Sequence, residues 1–191
     1  MNTYKDTNLA DSVRGFRLPA YGEIPNVGLY LEQVSKYITD IFAPLEVPGL
    51  TGSMISNYVK KKLIPNPVKK QYGREQIASL IFITIAKSAL SIEQIRGLID
   101  QQSEMLSVEV TYNYIRDEFD KVFKYVFGLD AVEAETDAPG ADAFDPENID
   151  TSIPDGPEKS KLIIRASLLI FCYSAYLDKT LALAGIKRSN D

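Results

Sequence analysis

Residues 50–74, LTGSMISNYVKKKLIPNPVKKQYGR, compress a helix, a forced stop and a charged turn into one short stretch. The apolar spacing predicts a helix of about twelve residues between Leu50 and Ile64. Thr51 or Ser53 suits its N-cap, because a short hydroxyl side chain accepts a bond from an orphan N–H of the first turn. Ile55, Tyr58, Val59 and Leu63 recur at helical spacing and form the stripe expected to be buried. The opposite face carries Ser53, Ser56, Asn57, Lys60 and Lys61, groups able to meet base edges and phosphates. Pro65 and Pro67 end the helix, since proline lacks the backbone donor and restricts the residue before it. Val68 to Tyr72 is short and basic, a β-turn or wing, and another helix is expected from about Arg74.

The same stretch is exceptional in charge. It holds Lys60, Lys61, Lys62, Lys69, Lys70 and Arg74 and no acidic residue. The whole chain has 21 basic and 26 acidic residues, a formal −5, so the other 166 residues sum to −11. A positive segment in an acidic chain points to a local anion, and nucleic-acid phosphate is the leading one. A solvated helix face is the plainer explanation of a lysine run.

The order of elements from Thr51 through Ile99 resembles the winged helix-turn-helix head of the MerR class of bacterial transcriptional regulators. A hydroxyl-capped helix, TGSMISNYVKKK, is followed by the exit LIPNP and a basic connector ending in Tyr72. The apolar helix REQIASLIFITIAK and the serine-started helix LSIEQIRGLI come next. The wording SMISNYVKKKLIPNPVKKQY is similar to a family of uncharacterised MerR-like proteins of Gram-positive bacteria. Tyr58, the pair Leu63 and Ile64, Tyr72 and the neighbouring basic positions carry the resemblance. Ser56 stands where the class usually has an arginine, and the connector is shorter than a typical wing. Pro44 and Pro48 interrupt the region where the class has its first helix. The resemblance implies double-stranded DNA as a partner, with the two helices after Arg74 supporting the reading head.

The rest of the chain narrows the alternatives. There is no histidine, which removes Ser–His and Cys–His pairs, histidine metal ligands and the usual general base. No Gly-rich phosphate loop, paired-carboxylate signature or cysteine cluster is present, so an enzyme is not expected. The single Cys172 sits in an apolar run and reads as a small buried hydrophobe. One cysteine and an N-terminus without a basic-then-apolar pattern fit a reducing, cytoplasmic setting.

In chain order, residues 1–28 read as an arm with little regular structure, which Phe16, Leu18 and Tyr21 pin to the body. Residues 29–42 form an amphipathic helix through Leu31, Val34, Ile38 and Ile41. Residues 74–89 are apolar enough to be buried on most sides. Ser91 and Gln94 fit a capping box at the next helix, whose core face is Ile92, Ile95, Leu98 and Ile99. Residues 106–127 carry a stripe of Tyr112, Ile115, Phe119, Val122, Phe123 and Val126. That stripe either pairs with its copy across a dimer or packs on the last helix. Residues 128–158 hold ten acidic residues and no basic one, with four prolines and three glycines, and read as a linker. Their carboxylates lack the EF-hand spacing, and they offer an intramolecular competitor for the basic segment. The last helix spans about 156–184, with Asp155 and Glu158 as a cap, Pro157 in the first turn, Gly185 at C′, and Lys187 and Arg188 closing its end. Its apolar run of about sixteen residues is interrupted by Arg165 and falls short of a membrane span.

The expected architecture is therefore mainly α, with about six helices, at most a two-stranded wing, and no membrane span. An N-terminal arm (1–28) precedes a helix-turn-helix head (29–104) and a helical C-terminal region (105–191). The expected function is a DNA-binding transcriptional regulator with neither cofactor nor metal. Ser53, Ser56 and Asn57 would face base edges, and Lys60, Lys61, Lys69, Lys70 and Arg74 would contact phosphates. Tyr58 and Tyr72 would be shared between site and core. A homodimer through helix 106–127 or the C-terminal helix is the other expected association. The alternative function is a helical protein-interaction or assembly module that keeps such a head without using it on DNA.

Overall fold

Where apolar residues recur at helical spacing the chain coils, and it does so almost throughout. The computed structural model describes residues 9–103, 106–129 and 157–186. Seven α-helices lie among them: α1 Leu9–Val13, α2 Leu31–Phe42, α3 Gly52–Lys60, α4 Arg74–Ala86, α5 Ile92–Ser103, α6 Val108–Phe127 and α7 Pro157–Leu183. The strands among the described residues are β1 Leu29–Tyr30 and β2 Gln71–Tyr72. They pair antiparallel, Leu29 opposite Tyr72 and Tyr30 opposite Gln71. The fold is mainly α, as expected. The acidic stretch expected as a linker falls largely outside the described residues, as do Asp155, Lys187 and Arg188.

α4 is the hub. Nine of its residues, from Ile77 to Ala86, are buried. It packs on α6 and α7 and also meets α2, so apolar side chains all round the helix find partners. Gln76 fastens its start. The amide oxygen takes the Gly73 N–H at 2.8 Å, and the amide nitrogen donates to the Pro65 carbonyl at 2.9 Å. The capping box at α5 forms as the spacing predicts. Gln94 N–H reaches Ser91 Oγ at 3.2 Å, and Ser91 N–H reaches Gln94 Oε1 at 2.8 Å.

α6 and α7 form the most extensive helix pairing among the described residues. The α6 stripe packs within the chain, on α7 and on the arm. Phe119 and Phe123 stack at 5.5 Å, and Phe16 of the arm meets Phe123 at 5.1 Å. Phe171 of α7 meets Phe119 at 6.0 Å and Phe42 at 5.6 Å. These offset and edge contacts bury large rings in orientations their quadrupoles favour. Across the same interface the buried Glu118 Oε2 receives Arg165 Nε at 2.9 Å and Nη2 at 2.7 Å. Its Oε1 receives Lys121 Nζ at 3.0 Å. Cys172 is buried in this layer, and desolvation pushes its thiol pKa up, so it is held as an inert apolar group.

The arm is more ordered than its prolines and glycines suggest. It contains α1 and a 3₁₀ turn at Tyr21–Glu23. Leu18 is buried, and the Tyr112 hydroxyl donates to the Pro19 carbonyl at 2.9 Å. Phe16, Leu18 and Tyr21 do pin it. Arm, head and C-terminal helices share one apolar core.

Candidate functional site

Three local devices build the surface around residues 50–74. The first is the α2–α3 connection. α2 runs its full twelve residues, and Pro44 falls in the 3₁₀ turn Ala43–Leu45 that follows. Ser35 Oγ donates to the Leu50 carbonyl at 2.6 Å, and Lys87 Nζ reaches the carbonyls of Pro48 and Gly49 at 3.4 and 3.3 Å. Gly49 is required here, because a Cβ at that position would lie 2.7 Å from Thr39 Cα.

The second device is α3 itself. Thr51 is the N-cap, and its hydroxyl accepts the Met54 N–H at 3.2 Å. The helix stops at Lys60, shorter than the 50–64 expectation. The backbone turns left-handed at Lys62 (φ 58°), before either proline is reached, so Leu63 and Ile64 enter the core from the exit loop. Ile55 and Tyr58 are buried, while Val59 is half-buried. Ser53, Ser56, Asn57, Lys60 and Lys61 are all exposed and lie on one side of the helix. Ser56 Oγ already donates to the Gly52 carbonyl at 2.8 Å, leaving its lone pairs to accept a further bond.

The third device is the turn Val68–Gln71. Val68 and Gln71 exchange both backbone hydrogen bonds, at 3.0 and 2.9 Å. Lys69 and Lys70 between them both have positive φ, 51° and 66°. Two consecutive left-handed residues make the type I′ geometry, which usually selects Asn-Gly. Here two lysines occupy it at a steric cost of about 1–2 kcal/mol per residue. Both side chains are exposed. β2 follows at once and joins β1 from before α2, so the turn is anchored to the head by a strand pair that is remote in sequence.

The electrostatics set this surface apart. Lys60, Lys61, Lys62, Lys69 and Lys70 are exposed, and none enters a salt bridge among the described residues. Elsewhere ten described cations are in salt bridges, from Arg14 with Asp11 to Lys179 with Glu46. Five exposed ammonium groups with no salt-bridge partner among the described residues attract an anion.

The other residues expected at the site lie in the core or against the arm. Tyr58 and Tyr72 are core residues, 5% and 4% exposed, and burial raises both hydroxyl pKa values. Arg74 is turned to the arm. Its Nε donates to the Ile24 carbonyl at 2.8 Å, its Nη2 to the Gly22 carbonyl at 3.2 Å, and its guanidinium lies 5.5 Å from the Tyr21 ring centroid. No local pattern could reveal this, since its partners lie about fifty residues upstream. Lys62, part of the basic run, joins the surface through its left-handed turn.

No cluster of carboxylate or thiol groups able to hold a metal ion occurs among the described residues. Compared with known proteins, the chain matches no curated protein and no solved structure. A domain of unknown function, DUF1836, matches residues 19–119, which is 101 of the 191 residues. The match starts at the pinned end of the arm and closes inside α6, so it contains all three devices. The chain belongs to the DUF1836 family.

Proposed function

We propose that this chain is a DNA-binding transcriptional regulator of MerR-like, winged helix-turn-helix type. One observation carries the reading: five exposed lysines, free of salt bridges among the described residues, lie at the end of α3 and in the turn that follows its exit, in a protein that is otherwise acidic. The order α2, turn, α3, lysine-tipped turn and β2 fits the reading. In such heads the second helix enters the major groove, and the flanking elements contact the backbone. α3 would be the groove helix. Ser53 and Asn57 offer donors and acceptors to base edges, and Ser56 offers an acceptor. Lys60, Lys61, Lys62, Lys69 and Lys70 neutralise phosphates. Tyr58, Tyr72 and Arg74 hold the head together and take no part in the contact.

The test is fluorescence anisotropy of a random-sequence duplex at low salt. Wild type is compared with a variant in which Lys60, Lys61, Lys69 and Lys70 are all changed to Glu. The wild type binds, and the variant, melting normally, does not. A wild type that leaves the duplex free at low salt refutes the proposal. A helical assembly module is the second reading. It is favoured by exposed apolar side chains on α7, Ile170, Tyr173 and Leu177 among them.

A further inference from the structure

α7 is apolar on two sides, and the fold uses only one. Ile164, Leu168, Phe171, Cys172 and Ala175 point into the core. On the opposite side Ala166, Ile170, Tyr173, Leu177, Thr180 and Ala184 follow one another at alternating steps of four and three. That is the spacing of a two-helix seam. All six are exposed, with Ile170, Tyr173 and Leu177 at 50%, 50% and 51%. The seam is about 27 Å long at 1.5 Å per residue. Between residues 166 and 184 the charged residues are Asp178 and Lys179, both on the inner flank. Lys179 is tied to Glu46 at 3.0 Å.

We propose that this face docks a second copy of the same chain, with the two α7 helices antiparallel and crossing at the level of Ala175. In that register the seam is complementary to itself. Ala166 faces Ala184 of the other copy, Ile170 faces Thr180, and Tyr173 faces Leu177. Small meets small at the ends, and the largest side chain meets a leucine near the two-fold axis, as an isologous contact requires. The area is adequate. With about 200 Å² for a fully exposed large side chain, Ile170, Tyr173, Tyr176, Leu177 and Leu183 at 39–51% supply roughly 500 Å² per copy. Ala166, Thr180 and Ala184 extend this toward the ~800 Å² per partner of a standard interface. A membrane surface is the competing occupant. It fits less well, because interfacial helices present lysine and arginine beside the apolar face. Here Lys161, Arg165 and Lys179 are paired with Glu158, Glu118 and Glu46, Lys159 is the one α7 cation outside a salt bridge among the described residues, and the chain is −5 overall. By length and composition Glu158–Leu183 could cross a membrane, but the inner side of α7 is packed on protein, which a single helix lying in lipid does not offer. The inference does not depend on DNA binding.

Sedimentation equilibrium of the full chain gives the mass. The wild type is expected at twice the 21.3 kDa chain mass. Leu177→Glu, at an exposed position, is expected at the single mass with the helical content of the wild type retained, and Ile170→Lys provides a second variant. Oxidative cross-linking gives the orientation. Ile170→Cys and Thr180→Cys are expected to cross-link only when mixed, because in the proposed register two copies of residue 170 lie about 15 Å apart along the axis, too far for a disulfide. A monomeric wild type overturns the proposal, and so does a wild type that is monomeric and floats with phosphatidylglycerol vesicles. A dimer that survives both charge variants also overturns it. Cross-linking of either cysteine variant alone overturns the antiparallel arrangement.

Discussion

Arg165→Met isolates a carboxylate that the fold has buried between α6 and α7. The Glu118 side chain is 7% exposed and receives three charge-assisted hydrogen bonds, two of them from Arg165. Desolvation is the largest single influence on its pKa and acts upward. The hydrogen bonds and charges of Arg165 and Lys121 together outweigh it, so the folded carboxyl titrates below its ordinary 4.5. Hydrogen bonds to charged groups contribute about 1.5–3 kcal/mol each, but the Arg165 side chain is 46% exposed and water replaces part of the loss. The expected cost at pH 7 is about 2–3 kcal/mol, equivalent to a Tm drop of roughly 5–10 °C for a chain of this size. The pH dependence gives a sharper check. In wild type the depressed pKa contributes stability that is present above pH 4.5 and is lost as pH falls through the folded value. In the variant Lys121 alone opposes desolvation, so the Glu118 pKa moves upward and the variant gains stability relative to wild type as pH falls. The gap between the two, measured by urea denaturation, should be full at pH 7 and should narrow below pH 4.5. Glu118→Gln combined with Arg165→Met should recover much of the loss, because no buried charge is left unpaired. A gap independent of pH, or a double variant no better than Arg165→Met, would refute this reasoning.

Three further perturbations separate structure from function. Lys69→Asn with Lys70→Gly relieves the left-handed strain of the turn, so it should stabilise the protein by about 1 kcal/mol in urea melts while weakening DNA binding. A variant that is both more stable and binds DNA as tightly as wild type would exclude the turn from the interface. Gly49→Ala drives a Cβ against Thr39 and should destabilise by about 1–3 kcal/mol in the same assay. Tyr112→Phe removes the bond to the Pro19 carbonyl, should cost about 1 kcal/mol, and should speed proteolysis within the arm.

Periodicity carried much of the fold. The apolar stripes of α2 and α6, the all-round apolar α4 and the Ser91–Gln94 box each specify a local state that tertiary packing then accepts. Boundaries were less legible. α3 ends at Lys60 because the chain turns left-handed at Lys62, and lysine, unlike glycine, gives no sequence sign of positive φ. Lys69 and Lys70 hid the type I′ turn for the same reason, although the two-residue spacing between Val68 and Gln71 is present in the sequence. The arm looked irregular because its order comes from distant partners. Phe16 rests on α6, and Arg74 reaches back to Gly22 and Ile24. The same long-range contacts engage Arg74, expected at phosphate, with the arm. Charge clustering singled out the lysines in the sequence. That none of them enters a salt bridge among the described residues emerged only with the fold.

The salt dependence of duplex binding tests the central claim most directly. Each phosphate neutralised on B-DNA contributes a slope of about −0.9 in log K against log salt. Five exposed lysines acting together predict a slope of roughly −4 or steeper for the wild type, lost when Lys60, Lys61, Lys69 and Lys70 become Glu. A flat dependence, or the same slope in wild type and variant, would contradict the assignment of this surface to DNA.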